Sequence, residues 1–283
     1  MLDLPVTVYS PESPLKNPGL LLKRMFRDLI ASRGLAWRLF VRDRSAQFRQ
    51  SVFGYIWAFV PPLIASLPFV FLNANGVVSI KETPIPYPAF AIIGTLIWQV
   101  FVDALNTPLK TVAAAKPMLT RINFPREALL LSGLATVLFN FLIRLVLLVA
   151  VMIWFKITPP STIVLFPLGI LALICLGFTI GVLLTPLGLL YNDIQQMIPM
   201  VTMFLMFLTP VVYPKPSGGF AGRIMEWNPV APLITASRDW LTTGSNGNVS
   251  QLACILGVAI LLSFVGWVFY RLALPHIISR SGN

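Results

Sequence analysis

Four stretches of this chain contain no Asp, Glu, Lys or Arg: Gln50–Ile80, Ile157–Asn192, Ile194–Pro214 and Trp240–Tyr270. Runs of that length without a charge are at home in a bilayer, where one helical crossing needs about 20 apolar residues. Composition points the same way. Of 283 residues, 57% are hydrophobic and only 11% charged, against about 25% charged in an average soluble domain. A soluble globular protein is therefore excluded, and the fold class expected is an all-α integral membrane protein.

Apolar runs between charged or Pro/Gly-rich breaks predict six transmembrane helices, at 52–74, 88–110, 128–155, 162–190, 197–213 and 251–272. An even number puts both termini on one side. If that side is the cytoplasm, and basic residues far from the first span are discounted, the inner segments hold eleven Lys and Arg. The outer segments hold five, Lys81, Lys156, Lys215, Arg223 and Arg238. This asymmetry satisfies the positive-inside rule, so both termini are expected in the cytoplasm. Residues 1–20 carry Asp3, Glu12 and four prolines without an apolar core. They resemble a flexible tail rather than a secretory signal. Leu22, Met25, Phe26, Leu29 and Ile30 follow helical spacing with basic residues on the other faces. Residues 21–49 therefore read as an amphipathic helix in the cytoplasmic interface, in contact with membrane lipid. It serves either as an anchor or also as part of an access route for an amphiphilic substrate. The mixed stretch between the fifth and sixth spans reads as short re-entrant helices, and 276–283 as a cytoplasmic tail.

Much chemistry is missing from the chain. There is no Gly-Lys pair, so a standard phosphate-binding P-loop is excluded. The single histidine, His276, offers neither a metal set nor a base for a serine nucleophile. The two cysteines, Cys175 and Cys254, lie in apolar runs and suggest neither a disulfide framework nor a thiolate site. No catalytic, cofactor-binding or metal-binding residue is expected. The net charge of +11 comes from Lys and Arg spread around the spans, not from one basic domain, so no nucleic-acid partner is expected either. Two charges fall inside spans. Asp103 lies about 22 Å from Pro88, and Arg144 about 24 Å from Ala128, at 1.5 Å per residue. On those depths they lie near opposite faces and are not expected to pair. Arg144 either snorkels to the headgroups or is buried or pore-facing. The spacing of Gly177 and Gly181 would allow close helix packing.

Several local patterns resemble one family. Gln50-Ser51-Val52-Phe53-Gly54-Tyr55-Ile56-Trp57 opens the first span, and Tyr191-Asn192-Asp193-Ile194 follows the fourth. Leu208-Thr209-Pro210-Val211-Val212-Tyr213-Pro214 ends the fifth, ahead of Asn228-Pro229, Pro232-Leu233 and Arg238-Asp239. With the six-span layout, roughly 20–275 resembles the membrane-spanning subunits of type-2 ABC exporters, in the branch that moves lipid-linked polysaccharide such as O-antigen, capsule or teichoic acid. Members commonly have Arg-Asp where this chain has Asn192-Asp193. The resemblance implies a permease of the bacterial cytoplasmic (inner) membrane, acting as a homodimer bound to two ATPase subunits. ATP and Mg would belong to that partner, with no cofactor in this chain.

Within that expectation, the basic, Pro-bounded segment 108–127 is the candidate ATPase coupling element, unless it is a plain inner loop. Its candidate residues are Lys110, Lys116, Thr120, Arg121 and Arg126, with Asn192 and Asp193 adding to them. Sugar rings stack on aromatic faces, so the candidate translocation path is Phe53, Tyr55, Trp57, Phe204, Phe207 and Tyr213, together with Arg144. These rings could equally face lipid. Two other readings stay open: an ABC exporter of a lipid, drug or other small amphiphile, and a membrane-embedded enzyme or scaffold.

Overall fold

The structure, a computed structural model, describes residues 18–49, 56, 59–76, 83–119, 121–122, 124–215, 219–245 and 249–281. Among them every regular element is helical. Helices α1 (Pro18–Ala31) and α2 (Arg33–Arg49) replace the one amphipathic helix expected. The break falls at Ser32, whose buried hydroxyl donates to the Asp28 carbonyl. Then come α3 (Val60–Ala74), α4 (Tyr87–Leu119) and α5 (Glu127–Trp154). A 3₁₀ turn, Ser161–Leu165, leads into α6 (Phe166–Leu190), followed by α7 (Asn192–Phe207), α8 (Gly219–Trp227), α9 (Val230–Thr242) and α10 (Val249–Ser281).

Among the described residues, four helical stretches are long and apolar enough to cross a membrane: Tyr87–Leu119, Glu127–Trp154, Ser161–Leu190 and Val249–Ile277. They match the second, third, fourth and sixth spans expected. The first expected span, 52–74, is helical over the 15 residues of α3, and most of its earlier part lies outside the described residues. The fifth is displaced. α7 begins at Asn192, turning the expected inner loop 191–196 into helix, and stops after 16 residues. Pro210 accounts for the stop, because a proline disfavours helical geometry in the residue before it. α4 also departs from expectation. It runs 33 residues, straight through Pro108 to Leu119, instead of ending near 110. Pro108 and Pro117 do not stop it, because in a packed membrane helix the freed backbone groups find other partners.

Several buried hydroxyls within the helices are satisfied locally. Thr107, Thr185, Thr202 and Ser237 each donate to the carbonyl four residues back, so a hydroxyl can sit in an apolar bundle without stranding a hydrogen bond.

α4 is the most enclosed of the four long spans and α10 the least. What brings α4 and α6 together is the absence of side chains on α6. A Cβ on Gly177 would lie 2.8 Å from the Phe101 carbonyl oxygen, and one on Gly181 would lie 2.4 Å from that of Leu105. Farther along, Gly188 faces the Leu109 side chain. The contacts advance together along both helices, so α4 and α6 run parallel. α10 runs the same way beside α6, with Thr179 donating to the Ala259 carbonyl and Leu183 packing at Gly266. α5 runs opposite to α4, since Gly133 meets Thr107 while Arg144 meets Gln99. α7 returns the chain. It starts beside the end of α6, near Leu109, and its far end delivers Val211 to Gly94 in α4.

Two apolar cores result. The larger fills the space among α4, α5, α6, α9 and the end of α7. The smaller lies at the end where α4 turns into α5, and joins Ala36 and Leu39 of α2 to Val112, Ala128, Leu129, Val182, Tyr270 and Leu274.

The substitution Gly181→Val should separate α4 from α6. We expect about 1–3 kcal/mol of lost stability from overpacking, read as a lower thermal midpoint of the detergent-purified protein, whereas Gly257→Val, where nothing lies within 4 Å, should leave it unchanged.

Candidate translocation and coupling site

Polar and charged side chains gather at three levels of the bundle. Midway along it, Arg144 and Asp103 form an ion pair, Nη1 to Oδ2 at 2.9 Å. This corrects the expectation that they would not meet. That expectation rests on a span ending near 110, with Asp103 counted from its outer end. In fact Asp103 lies 16 residues before Leu119, and Arg144 lies 17 residues after Glu127. Counted from the α4–α5 turn the two are therefore level. Asn140 donates to the same Asp103 oxygen at 2.8 Å, and the Arg144 guanidinium also donates to the Gln99 carbonyl. From α2, Arg44 donates to the Asn140 side chain at 3.3 Å. Burial pushes the Arg44 guanidinium below its ordinary pKa, and the carboxylates of Asp103 and Asp43 pull it back up. Arg144 thus neither snorkels nor stands free. It is buried, its shaft lying among Ile97, Val100, Leu145, Leu148 and Phe166.

At the end where α4 begins, the sequence patterns that carry the family resemblance meet one another. Arg238 of α9 is 2% exposed, and its Nη1 donates to the carbonyls of Pro210 and Val211, each at 3.1 Å. Its guanidinium lies 3.7 Å from the centre of the Phe90 ring in α4, a cation–π contact strengthened by exclusion of water. Asn228 donates to the Thr209 hydroxyl at 2.8 Å and accepts from the Val230 amide. Gly94 leaves room for the Val211 carbonyl. The segment after α7 is thus clasped between α4 and α9 by charge-assisted and amide hydrogen bonds.

The third level is the α4–α5 turn. Lys110 and Arg121 are exposed, and Lys116 is half-buried. Asn192 and Asp193 are exposed in the first turn of α7, at the same end, because Gly188 packs on Leu109. Thr120 lies outside the described residues. The segment 108–119 is the last third of α4 rather than an inner loop. Just after the turn, the carbonyl of Arg126 accepts from the Tyr270 hydroxyl at 3.3 Å. Glu127, 3% exposed, pairs with Arg271 of α10, which also pairs with Asp28 of α1 at 2.6 Å. Neither this link nor the clasp around Arg238 was foreseen from sequence. Asp28 and Arg271 are 243 positions apart, and no spacing signal joins them.

Among the candidate path residues, Phe204 and Phe207 are both exposed on α7, and Phe207 lies 6.0 Å from Phe69 of α3, centre to centre. Tyr213 falls beyond the end of α7, and its hydroxyl donates to the Phe207 carbonyl. Phe53, Tyr55 and Trp57 lie outside the described residues. Arg144 is not on this face, being enclosed by α4, α5 and α6. Among the described residues no three His, Cys, Asp or Glu side chains converge to hold a metal ion.

Breaking a buried ion pair strands a charge, at about 3–5 kcal/mol, whereas removing both partners is far milder. Asp103→Leu and Arg144→Leu should therefore each lower the yield and thermal midpoint of the purified protein more than the Asp103→Leu/Arg144→Leu double variant does.

Residues 35–241 match the ABC-2 type transporter family. The chain is 26% identical over 216 residues to an O-antigen export system permease protein, RfbA, of Myxococcus xanthus, covering 75% of this chain and 82% of that protein. It is 24% identical over 228 residues to a protein of the same name from Klebsiella pneumoniae, covering 80% and 86%. A polysialic acid transport protein, KpsM, of Escherichia coli is 22% identical over 239 residues, covering 82% and 91%. The family match extends from α2, through the intramembrane ion pair, to the α9 clasp, and on that extent the chain belongs to the ABC-2 type transporter family.

Proposed function

We propose that this chain is the permease subunit of an ABC transporter that exports a lipid-linked polysaccharide. The observation that carries this reading is the family match, together with relatives of similar length named for O-antigen export and polysialic acid transport. A subunit without a P-loop must draw its driving force from elsewhere, so ATP and Mg²⁺ belong to a separate ATPase partner.

The geometry supports a finer reading. Because α6 and α10 run parallel, the chain has to recross between them, and α7 is the element that does so. Counting α3 and α7 as crossings gives six spans, with α8 and α9 as re-entrant helices. The basic α4–α5 turn, α1, the start of α2 and the end of α10 then lie on the cytoplasmic side of a bacterial inner membrane. The exposed faces of α3 (Ile64, Leu67, Phe71) and α7 (Met197, Met200, Met203, Phe204, Phe207) are the apolar surfaces of the two shortest candidate spans. Two copies of the chain would set these faces around a shared channel, with Phe204 and Phe207 offering stacking surfaces to sugar rings. Two ATPase subunits would dock at Lys110, Lys116, Arg121, Asn192 and Asp193. On α1 and the first half of α2, exposed Phe26, Ile30, Trp37 and Val41 alternate with Lys23, Arg24, Arg27, Arg38 and Arg42, which suits an anionic lipid surface, while the far half of α2 runs along α5, where Phe40 meets Phe139 and Arg44 meets Asn140.

A strain lacking this gene should accumulate its surface polysaccharide inside the cell, as measured by carbohydrate composition of the cytosolic and surface fractions. A normal surface fraction would remove the proposal, and intracellular build-up of a lipid instead would favour a small amphiphile. The variant Lys116→Glu/Arg121→Glu should insert normally, yet lose export while its co-purified ATPase still turns over. Unimpaired export would refute the docking assignment.

A further inference from the structure

We infer that Arg271 is a positioning residue for ATP-driven export: its forked contact ties α1, the start of α5 and the end of α10 into one body that moves with the α4–α5 turn. The inference rests on the exporter reading above. Glu127 is the first residue of α5, directly after the turn, so whatever an ATPase does to that segment reaches Glu127 first. There α10 grips the chain through neighbouring residues. Tyr270, 1% exposed, donates to the Arg126 carbonyl, and Arg271 holds the Glu127 carboxylate. The other nitrogen of the same guanidinium holds Asp28 at 2.6 Å. One turn earlier, Trp267 meets Phe26 of α1 edge-on, with ring centres 5.5 Å apart. Trp267, Tyr270, Arg271 and Leu274 follow i, i+3, i+4, i+7 spacing, so one face of α10 makes the whole contact.

Two features mark this as more than local packing. Although α10 is the least enclosed of the long spans, its end is buried at this contact, with Tyr270 1% and Leu274 0% exposed. The link also joins elements far apart in sequence, α1 near one end of the described residues and α10 at the other. Arginine is required by the geometry. Its planar fork serves two carboxylates at once, whereas a lysine ammonium acts as a single point charge.

The test uses the permease purified with its own ATPase, and the deletion strain complemented by each variant. Arg271→Lys keeps a positive charge beside buried Glu127 but gives up the fork, and Asp28→Asn removes only the α1 arm. For each we expect wild-type complex yield and ATP hydrolysis within about two-fold of wild type, with surface polysaccharide reduced about ten-fold, inside the range usual for coupling between sites. The Arg271→Lys/Asp28→Asn double variant should be no worse than the more impaired single, because both break one link. Full export by either single variant would overturn the inference, as would an additive double variant. So would a loss of complex yield in step with export, which would make the contact structural only. If the wild-type gene itself fails to restore surface polysaccharide, it is the exporter reading that falls. If it succeeds and the variants succeed equally, only the role of Arg271 does.

Discussion

The bundle depends on how closely α6 approaches α4. Inside a bilayer there is no hydrophobic gain from bringing two apolar helices together, since lipid tails solvate them equally well. Association has to come from packing and from internally satisfied polar groups. Gly177, Gly181 and Gly188 open a strip of bare backbone along α6 into which Phe101, Leu105 and Leu109 of α4 settle. The rest is arranged around that seam, with α5 and α9 closing over α4 and α10 lying along α6. Because α4 is enclosed on nearly every side, it is the natural reference frame against which the less covered helices can shift.

Polar groups then fix what apolar packing leaves free. Greasy surfaces slide past one another, whereas a guanidinium that must satisfy two partners permits one arrangement. Among the described residues three arginines use that property at three depths. Arg238 pins the segment after α7, Arg144 sets the register of α5 against α4, and Arg271 fastens the ends of α1, α5 and α10. Each arginine joins elements distant in sequence, and Arg144 and Arg238 are almost wholly buried. A buried charge of this kind contributes little net stability but penalises every alternative packing in which it would be stranded.

Apolar periodicity made the long spans readable, and their outer boundaries came out within a residue or two: 88 against Tyr87, 162 against Ser161 and 251 against Val249. Of the inner boundaries, those of α5 and α6 agree as closely, 128 against Glu127 and 190 against Leu190, but the other two do not. α4 continues to Leu119 and α10 to Ser281, because hydropathy reports where the apolar solvent ends, while the helix itself ends only where backbone hydrogen bonding fails. That difference also hid the Asp103–Arg144 pair, whose partners are level only when counted from the true turn. The glycine spacing at 177 and 181 was visible, and it marks the closest helix contact. The patterns around Pro210, Asn228 and Arg238 were visible as resemblance, but not the fact that they bond to one another. The Asp28–Arg271–Glu127 link left no trace at all, since nothing in a single sequence relates a residue near one terminus to a residue near the other.

The brevity of α7 has a consequence for the membrane around it. Its 16 helical residues reach about 24 Å at 1.5 Å per residue, short of the roughly 30 Å of hydrocarbon in a typical bilayer. In the proposed topology the lipid beside α7 must pinch inward to meet it, at a modest free-energy cost for every ångström of shortfall. A polymer passing along that wall would then face a thinner insulating layer than anywhere else in the membrane. The exporter's working rate would accordingly depend on acyl-chain length in the host, a sensitivity set by the position of Pro210.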